Sequence, residues 1–390
     1  MKIKTKSKNR KKPSALFIIF ISVVLIILIG WILIVHRTNN SNVEVSKNIV
    51  DNSYNNHSLN DDTGLIQKDD KLYYTYYSGN FFDCGIYEIS SKGSMRIKCS
   101  NIENLYSFLY PGHLDNIFEY NGALVLDPYP NSFNILFTIN SFLGIGQKYL
   151  DLGTIDGLGI SEVEVYNNEL YCFAGNSVYK YNNGNYEKMI DLPEKVFNDG
   201  RRIFNYHQYC FHNNILYIPV ENDKTYDIYV MALDGSSKYV YHTEISVFKS
   251  IKRFAVNDNY AVIGCDWNSS FREYYALEHN IDENDAIFKD TDTGVGGEHK
   301  IYAVELKKDG KTNIVDENGE IFNLYDDKIY SCTDGVCVID INSKKRKQLY
   351  NGDVSNIFIL DSDWIYFTNY DNNLYRVSPD GKSVKTVFIA

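Results

Sequence analysis

A hydrophobic run, a polar pair and an aromatic-rich segment recur seven times along the chain in this order. The polar pair is mostly built from Asn and Asp, which favour tight turns between β-strands. The seven copies are Asp69-Asp70-Lys71-Leu72-Tyr73, Asn121-Gly122-Ala123-Leu124-Val125, Asn167-Asn168-Glu169-Leu170-Tyr171, Asn213-Asn214-Ile215-Leu216-Tyr217, Asp258-Asn259-Tyr260-Ala261-Val262, Asp326-Asp327-Lys328-Ile329-Tyr330 and Ser362-Asp363-Trp364-Ile365-Tyr366. A period of this length predicts stacked supersecondary units.

Each repeat contains four short strand candidates. The last repeat shows them most clearly, at residues 356–360, 364–368, 374–378 and 384–389. The aromatic anchors of the second strands lie about 49 residues apart on average, which fits one propeller blade per repeat. A content of 33 Tyr and only 7 Pro also favours strands. We predict an all-β fold, a seven-bladed β-propeller of four-stranded antiparallel blades over residues 63–390; six or eight blades are the alternatives, because the second repeat is degenerate.

One N-terminal transmembrane helix is predicted to precede the propeller. Residues 15–35 carry no charge over 21 positions. As a helix they would span about 31 Å, close to the hydrocarbon thickness of about 30 Å. We predict an uncleaved signal anchor that places these residues in the lipid bilayer. A cleaved signal peptide is the alternative, but its apolar core is usually shorter.

Charge predicts the orientation of this helix. Residues 1–14 form a basic tail, and seven of their side chains are Lys or Arg. The positive-inside rule then places the N-terminus in the cytoplasm and the C-terminal domain outside the plasma membrane. Residues 36–62 are rich in Asn and poor in apolar residues, so we predict a flexible stem. Without the basic N-terminus and Arg37 the net charge falls from −11 to about −19, which excludes nucleic acid as a partner of the folded part.

The fifth repeat holds a long insertion at residues 267–300, between its second and third strands. It contains eight acidic and three basic residues, together with Phe271, Tyr274 and Tyr275. Long loops inside a compact domain are usually functional or disordered. The sequence leaves open whether this insertion is functional.

Aromatic and acidic residues cluster in the predicted connections at one end of the propeller. This end carries the links from second to third strands and the links between blades. Exposed aromatic rings beside acids offer stacking area and orientation to a sugar, a peptide or a cationic segment. The predicted ligand-binding residues are Phe81, Phe82, Asp83, Tyr129, Phe133, Asp223, Tyr226, Phe271, Tyr275, Tyr370 and Asp371. The alternative is that many of them only cover blade edges.

Sequence patterns give no catalytic residue, no metal site and no cofactor. His207, Cys210 and His212 look like a metal cluster, but on a strand His207 would face away from the other two. Residues 290–294 resemble a calcium loop without its final glutamate. We therefore predict neither zinc nor calcium.

Cys332 and Cys337 are the one disulfide candidate among seven cysteines. With Asp334-Gly335 as a two-residue turn they would lie directly opposite each other, at a Cα distance of about 4.5 Å. The alternative is two small apolar residues in a hairpin.

The last repeat carries a family resemblance. Asp363-Trp364-Ile365-Tyr366-Phe367-Thr368-Asn369, then Asn373-Leu374-Tyr375-Arg376-Val377 and Asp380-Gly381, resembles bacterial propellers of unknown function that are akin to those of lipoprotein-receptor-related proteins. The same cadence is similar to TolB-type propellers. The resemblance implies a propeller in the cell envelope but no defined activity. A strict Tyr-Trp-Thr-Asp motif is absent, so the ligands of those receptors are not implied.

The leading functional hypothesis is a membrane-tethered binding module for an envelope protein, peptide or glycan. The alternative is an envelope hydrolase or lyase that uses the loop carboxylates of the first, second and fifth repeats. Cleavage of glycosidic bonds would require a carboxylate pair about 5 to 9 Å apart. A third hypothesis is a purely structural ectodomain without a cleft.

Overall fold

The chain folds into antiparallel β-sheets, each built from nearly contiguous sequence. The computed structural model describes residues 19–26, 38–39, 43–48, 64–76, 85–99, 116–127, 135–140, 145–193, 209–222, 225–246, 249–267, 299–319 and 321–389. Within these ranges the strands form seven sheets, which we number 1 to 7 in chain order.

Sheets 1 to 3 are four-stranded meanders, and sheets 1 and 3 each have one additional edge strand of two residues. Sheet 1 contains β1 (Thr38–Asn39), β2 (Leu65–Lys68), β3 (Lys71–Tyr76), β4 (Gly85–Ser90) and β5 (Gly93–Cys99). Sheet 2 contains β6 (Asn116–Tyr120), β7 (Ala123–Asp127), β8 (Ile135–Asn140) and β9 (Ile145–Asp151). Sheet 3 contains β10 (Thr154–Ile155), β11 (Leu158–Tyr166), β12 (Glu169–Ala174), β13 (Ser177–Asn182) and β14 (Asn185–Asp191). In sheet 1 the short β1 joins the outer edge by pairing with β5.

Sheets 4 to 7 are four-stranded meanders. Sheet 4 contains β15 (Cys210–His212), β16 (Ile215–Asn222), β17 (Thr225–Ala232) and β18 (Lys238–Ser246). Sheet 5 contains β19 (Lys249–Val256), β20 (Tyr260–Trp267), β21 (Lys300–Glu305) and β22 (Thr312–Asp316). Sheet 6 contains β23 (Phe322–Tyr325), β24 (Lys328–Ser331), β25 (Val336–Asp340) and β26 (Arg346–Tyr350). Sheet 7 contains β27 (Asn356–Phe358), β28 (Ile365–Thr368), β29 (Leu374–Val377) and β30 (Val384–Phe388).

Consecutive sheets pack face to face around the strand of each sheet that precedes the polar pair. Contacts join β2 to β6, β6 to β11, β15 to β19, β19 to β23 and β23 to β27. A buried hydrophobic cluster fills each seam; the seam between sheets 4 and 5, for example, joins Ile228 to Ile263. Inner strands side by side with seams radiating outward are the arrangement of a β-propeller. The predicted all-β propeller fold is therefore confirmed.

Sheet 7 closes onto sheet 1 through side chains. The ring of Phe388 lies 4.4 Å from that of Tyr87 and 5.7 Å from that of Tyr74, centroid to centroid. All three side chains are buried in one cluster with Leu72 and Tyr366. The two sheets share no strand among the described residues, so their junction depends on packing.

The polar pairs of the repeat form the turns between first and second strands. In the first, second, third, fourth and sixth repeats at least one residue of the pair adopts positive φ, which Asn and Asp tolerate better than other non-glycine residues. The residues concerned are Asp69, Asn121, Asn167, Asn168, Asn213, Asn214 and Asp326. This conformation is the one that a two-residue hairpin turn requires.

The turns also hydrogen-bond from one sheet to the next. The Nδ2 of Asn167 lies 3.3 Å from the Oδ1 of Asn214, and the Nδ2 of Asn213 lies 2.7 Å from the Oδ1 of Asp258. These turns therefore share one end of the propeller, which we call the polar-pair end. Connections from second to third strands and links between sheets lie at the opposite end, which we call the loop end.

Aromatic anchors of the second strands are core residues. Tyr73, Tyr171, Tyr217, Tyr330 and Tyr366 are all buried. Their rings fill the seams, which explains the high tyrosine content of the chain.

Residues 43–48 differ from the predicted flexible stem. We call this segment the strap, because it lies across the junction of sheets 1 and 7 at the polar-pair end. Val43 is 2% exposed and its amide donates to the carbonyl of Ser90 at 3.0 Å. The alternation of Val43 and Val45 with polar residues gives the strap one apolar side, which is the physical reason that it docks.

Part of the predicted membrane segment is described. Residues 19–26 are helical, and the other residues of the predicted span 15–35 lie outside the described ranges. Among the described residues, no helix is both long enough and apolar enough to cross a membrane.

Candidate recognition surface

Most of the residues predicted to bind a ligand lie outside the described ranges. They are Phe81, Phe82, Asp83, Tyr129, Phe133, Asp223, Phe271 and Tyr275. Residues 268–298 of the insertion lie outside them as well, together with the acids of the hydrolase alternative. Tyr226, Tyr370 and Asp371 are described, and they have different environments.

Tyr226 is a core residue. Its side chain is 5% exposed and belongs to the cluster between sheets 4 and 5, with Ile228 and Ile251. Burial raises the pKa of its phenol well above the usual value. Tyr226 follows Thr225, the first residue of β17, and strand alternation turns its ring into the seam. It is therefore not part of an exposed surface, contrary to the prediction.

Tyr370 and Asp371 are exposed at the loop end, as predicted. They belong to residues 369–373, which connect β28 to β29 and which we call the Tyr370 loop. The side chain of Tyr370 is 75% exposed, the largest value among the large hydrophobic side chains described. Asp371 beside it is also exposed. The pair offers an aromatic face and a negative charge to the solvent.

Internal hydrogen bonds hold the Tyr370 loop in one conformation. The amide of Asn372 donates to the carbonyl of Asn369 at 2.9 Å, and the amide of Asn369 donates to the carbonyl of Asn373 at 3.2 Å. The Oδ1 of Asn369 also accepts from the amide of Asn373 at 2.9 Å. Asn372 has a φ of 56°, which Asn tolerates. The loop is therefore a closed turn.

Two neighbouring elements anchor this loop from outside. The hydroxyl of Tyr74, in sheet 1, donates to the carbonyl of Asn372 at 2.6 Å. The hydroxyl of Ser355, in the link before β27, donates to the carbonyl of Asn369 at 2.8 Å. Because Tyr74 is fully buried, the loop that presents Tyr370 is fixed to the core of the sheet 7 and sheet 1 junction.

Two further acids lie at the loop end of sheet 6. Asp334 lies in the connection between β24 and β25, and Asp353 lies in the link from β26 to β27; both are exposed. Sequence reasoning missed them as site candidates, although they occupy the same kinds of connection as the predicted residues. With Asp371 they place three exposed carboxylates at the loop end of sheets 6 and 7.

An acidic pair lies at the inner strand of sheet 3. The hydroxyl of Tyr209 lies 3.1 Å from Glu162 Oε1 and 3.2 Å from Glu164 Oε2. A phenol has one proton to donate, so the two carboxyl oxygens share it as acceptors. Burial raises the pKa of Glu164 to about 7, against the lowering effect of the Tyr209 contact. Glu164 is therefore partly protonated near neutral pH.

Sequence reasoning missed this pair as well. Glu162 and Glu164 are two positions apart on β11, so strand alternation places them on one face. That face points toward sheet 4, where Tyr209 precedes β15. The acids could have been noticed from their spacing on an otherwise apolar strand, but their partner lies 45 residues further along the chain.

Cys332 and Cys337 are not joined by a disulfide bond. The residue opposite Cys337 is Ser331, one position away from the predicted register. The connection between β24 and β25 has four residues in place of a two-residue turn, and this shift moves Cys332 out of the pair. The Sγ of Cys337 lies 3.3 Å from the carbonyl oxygen of Thr333. The disulfide prediction is therefore wrong in this structure.

No group of three or more His, Cys, Asp or Glu side chains suited to a metal ion occurs in the described part of the chain. His207 and residues 290–294, which were considered as metal-binding candidates, lie outside it.

Comparisons with known proteins find similar propellers. No family model and no curated protein matches the chain. BamB from Moraxella catarrhalis is similar with a TM-score of 0.44 and 8% identity, over 88% of both chains. The Neurospora crassa Pan2 WD40 domain has a TM-score of 0.47 and 12% identity, over 84% of this chain and 91% of that one. YCF48 bound to a D1 peptide has a TM-score of 0.40 and 9% identity, over 70% of this chain and 81% of that one.

Proposed function

We propose that this protein is a membrane-tethered, extracytoplasmic seven-bladed propeller that acts as a binding module. Its partner is a protein, peptide or glycan of the cell envelope, and its binding surface is the loop end. The basic tail of residues 1–14 and the charge-free span of residues 15–35 support the tether and its orientation. The seven described sheets and the packing of sheet 7 on sheet 1 support the blade number.

The observation that carries the proposal is the exposure of Tyr370 on an anchored loop. A large, rigid aromatic side chain supplies contact area in an interface at a low cost in conformational entropy. Since hydrogen bonds already order the Tyr370 loop, a partner would lose little conformational entropy on binding there. Asp371 adds a charge that orients a cationic or hydrogen-bonding ligand.

Site-specific photocrosslinking tests the proposal. A photoreactive phenylalanine analogue is placed at position 370 of the full-length protein in its own membrane. We expect a discrete crosslinked species, which protease or glycosidase treatment assigns to a protein or a glycan. Substitution Asp371→Asn should reduce its yield several-fold, because the charge next to the ring is lost.

The matched control carries the same analogue at Tyr239. This side chain is also exposed, at 43%, but it lies on β18 and outside the loop end. Crosslinking from position 370 that does not exceed crosslinking from position 239 contradicts the proposal.

A further inference from the structure

We infer that the junction of sheets 1 and 7 is a binding groove for an extended peptide, and that the chain fills this groove with its own strap, residues 43–48. The groove lies at the polar-pair end, away from Tyr370. The inference therefore does not depend on the proposed function of the loop end.

Sheet 1 binds the main chain of the strap at two places. The amide of Val43 donates to the carbonyl of Ser90 at 3.0 Å. The side-chain amide of Gln67 donates to the carbonyl of Ser46 at 2.6 Å. Main-chain contacts of this kind are available to any extended peptide, whatever its sequence.

Sheet 7 binds the same main chain from the other side. The guanidinium of Arg376 donates to the carbonyl of Glu44 at 2.9 Å. The carbonyl of Asn48 accepts from the amide of Ser362 at 3.1 Å. The strap therefore bridges two sheets that share no strand, as a peptide does when it lies in a cleft between two elements.

Side chains of the strap add selectivity. Val43 is buried with Leu65 and Tyr74, and Val45 packs on the same cluster. The carboxylate Oδ2 of Asp363 accepts from the hydroxyl of Ser46 at 2.6 Å and from the side-chain amide of Asn48 at 2.9 Å. The groove thus selects apolar residues at the first and third places and hydrogen-bond donors at the fourth and sixth.

The groove also has hydrogen-bonding capacity that the strap leaves unused. Gln67 Oε1 and Arg376 Nε are buried, and in the described part of the chain neither atom has a hydrogen-bond partner. Unpaired buried polar atoms are unfavourable. A segment that supplied a donor to Gln67 and an acceptor to Arg376 would bind better than the strap does.

The ligand class follows from these contacts. It is an extended segment of about six residues with small apolar side chains at alternate places and Ser, Thr or Asn near its end. The strap occupies the groove in cis, and a partner's segment of the same pattern binds when it displaces the strap. The groove is then a second recognition site, which the strap blocks in the unbound protein.

A peptide titration tests the inference. The full-length protein in detergent micelles carries an engineered protease site within residues 52–58, so that after cleavage only the noncovalent contacts of β1 and the strap hold the N-terminal fragment on the sheets. The probe is the fluorescent peptide Val-Glu-Val-Ser-Lys-Asn with both ends blocked, and its anisotropy reports binding. We expect the cleaved protein to bind at least tenfold more tightly than the intact protein, in which the strap competes.

Two matched changes identify the groove as the binding site. Asp363→Ala in the cleaved protein should weaken binding at least tenfold, because it removes the acceptor for Ser46 and Asn48. Asp380→Ala should leave binding unchanged, since Asp380 lies in another turn of sheet 7 that bonds to Ser378 and Lys382. A probe with Ala at the fourth and sixth places should bind at least tenfold more weakly.

Circular dichroism must show that the cleaved protein remains folded. If cleavage unfolds it, the same titration uses the uncleaved variant Val43→Asp, in which a buried charge expels the strap. Failure of the folded, strap-released protein to bind the probe overturns the inference. Equal binding with and without Asp363 overturns it too.

Discussion

Asn121 and Asn168, one repeat apart, hydrogen-bond to each other across the seam between sheets 2 and 3. The amide of Asn121 donates to Asn168 Oδ1 at 2.8 Å, and Asn168 Nδ2 lies 3.4 Å from Asn121 Oδ1. Each residue also has a positive φ, 49° for Asn121 and 58° for Asn168. One residue type therefore shapes the turn within a sheet and joins that sheet to its neighbour.

Replacement of Asn168 by Ala should lower the free energy of unfolding by about 2 kcal/mol. About 1 kcal/mol reflects the positive φ and about 1 kcal/mol the lost hydrogen bond. Asn183→Ala is the matched control, because Asn183 has a φ of 49° but its side chain bonds only to the adjacent Asn182. Urea unfolding of both variants measures the two losses in the free energy of unfolding. Equal losses would show that the hydrogen bond between sheets 2 and 3 contributes nothing to stability.

Gly335→Ala should destabilise the protein by about 3 kcal/mol or more. Gly335 has a φ of 110°, and an added Cβ would lie 2.1 Å from the carbonyl oxygen of Tyr350. Backbone strain and overpacking then act together. Gly153→Ala is the control, since φ is 60° and no atom lies within 4 Å of its Cβ position; about 1 kcal/mol is expected there. Thermal denaturation measures both losses. A larger loss of stability for Gly153→Ala than for Gly335→Ala would contradict this explanation of the role of Gly335.

Glu164→Gln should change the pH dependence of stability. Burial raises the pKa of Glu164 from 4.5 to about 7. Between pH 4.5 and pH 7 the folded protein binds a proton that the unfolded chain releases. This group therefore stabilises the fold at low pH, and its contribution to stability is lost as the pH rises through 7. Gln mimics the protonated form of Glu164, so the variant keeps this stabilising contribution as the pH rises. The variant should therefore gain about 2 kcal/mol relative to the wild type between pH 5 and pH 8.

Melting temperatures of both proteins across this pH range measure the effect. Glu187→Gln, at an exposed position of the same sheet, should run parallel to the wild type. A constant difference between Glu164→Gln and the wild type would show that Glu164 keeps one charge state throughout.

Tyr74→Phe should loosen the Tyr370 loop without unfolding the protein. The substitution removes the hydroxyl that donates to the carbonyl of Asn372 and retains the buried ring. Amide hydrogen exchange at residues 370–373 should become at least several-fold faster, and crosslinking from position 370 should fall. Tyr330→Phe tests the specificity of this effect, because Tyr330 is a buried tyrosine on the second strand of sheet 6; exchange in the loop should not respond to it.

The strands and turns were predictable because their signals are local. Tyr171 and Tyr366 fall at the same place in their repeats, and the Asn pairs need only their own turn to adopt positive φ. The strap was missed because Val43 and Val45 form a very short apolar pattern within an Asn-rich stretch. Its partner Asp363 lies 317 positions beyond Ser46, so composition alone suggested a flexible segment.

Two site features depended on details that a repeat pattern does not contain. The prediction of a disulfide bond between Cys332 and Cys337 assumed a two-residue turn. A shift of one residue in the strand register places Ser331 opposite Cys337 instead. Tyr370 is exposed because it lies in a short, polar connection. Tyr226 has the same aromatic character, but it begins a strand whose alternation directs the ring into a seam.

The closure of sheet 7 onto sheet 1 has a consequence for the order of folding. Each sheet takes its strands from a nearly continuous stretch of chain, so most strand pairs join neighbours in sequence and can form as synthesis proceeds. Tyr74 and Phe388 are the exception, because the first must wait more than 300 residues for the second. Until then the aromatic face of sheet 1 is uncovered and prone to aggregation, and chaperones would be needed most in that interval.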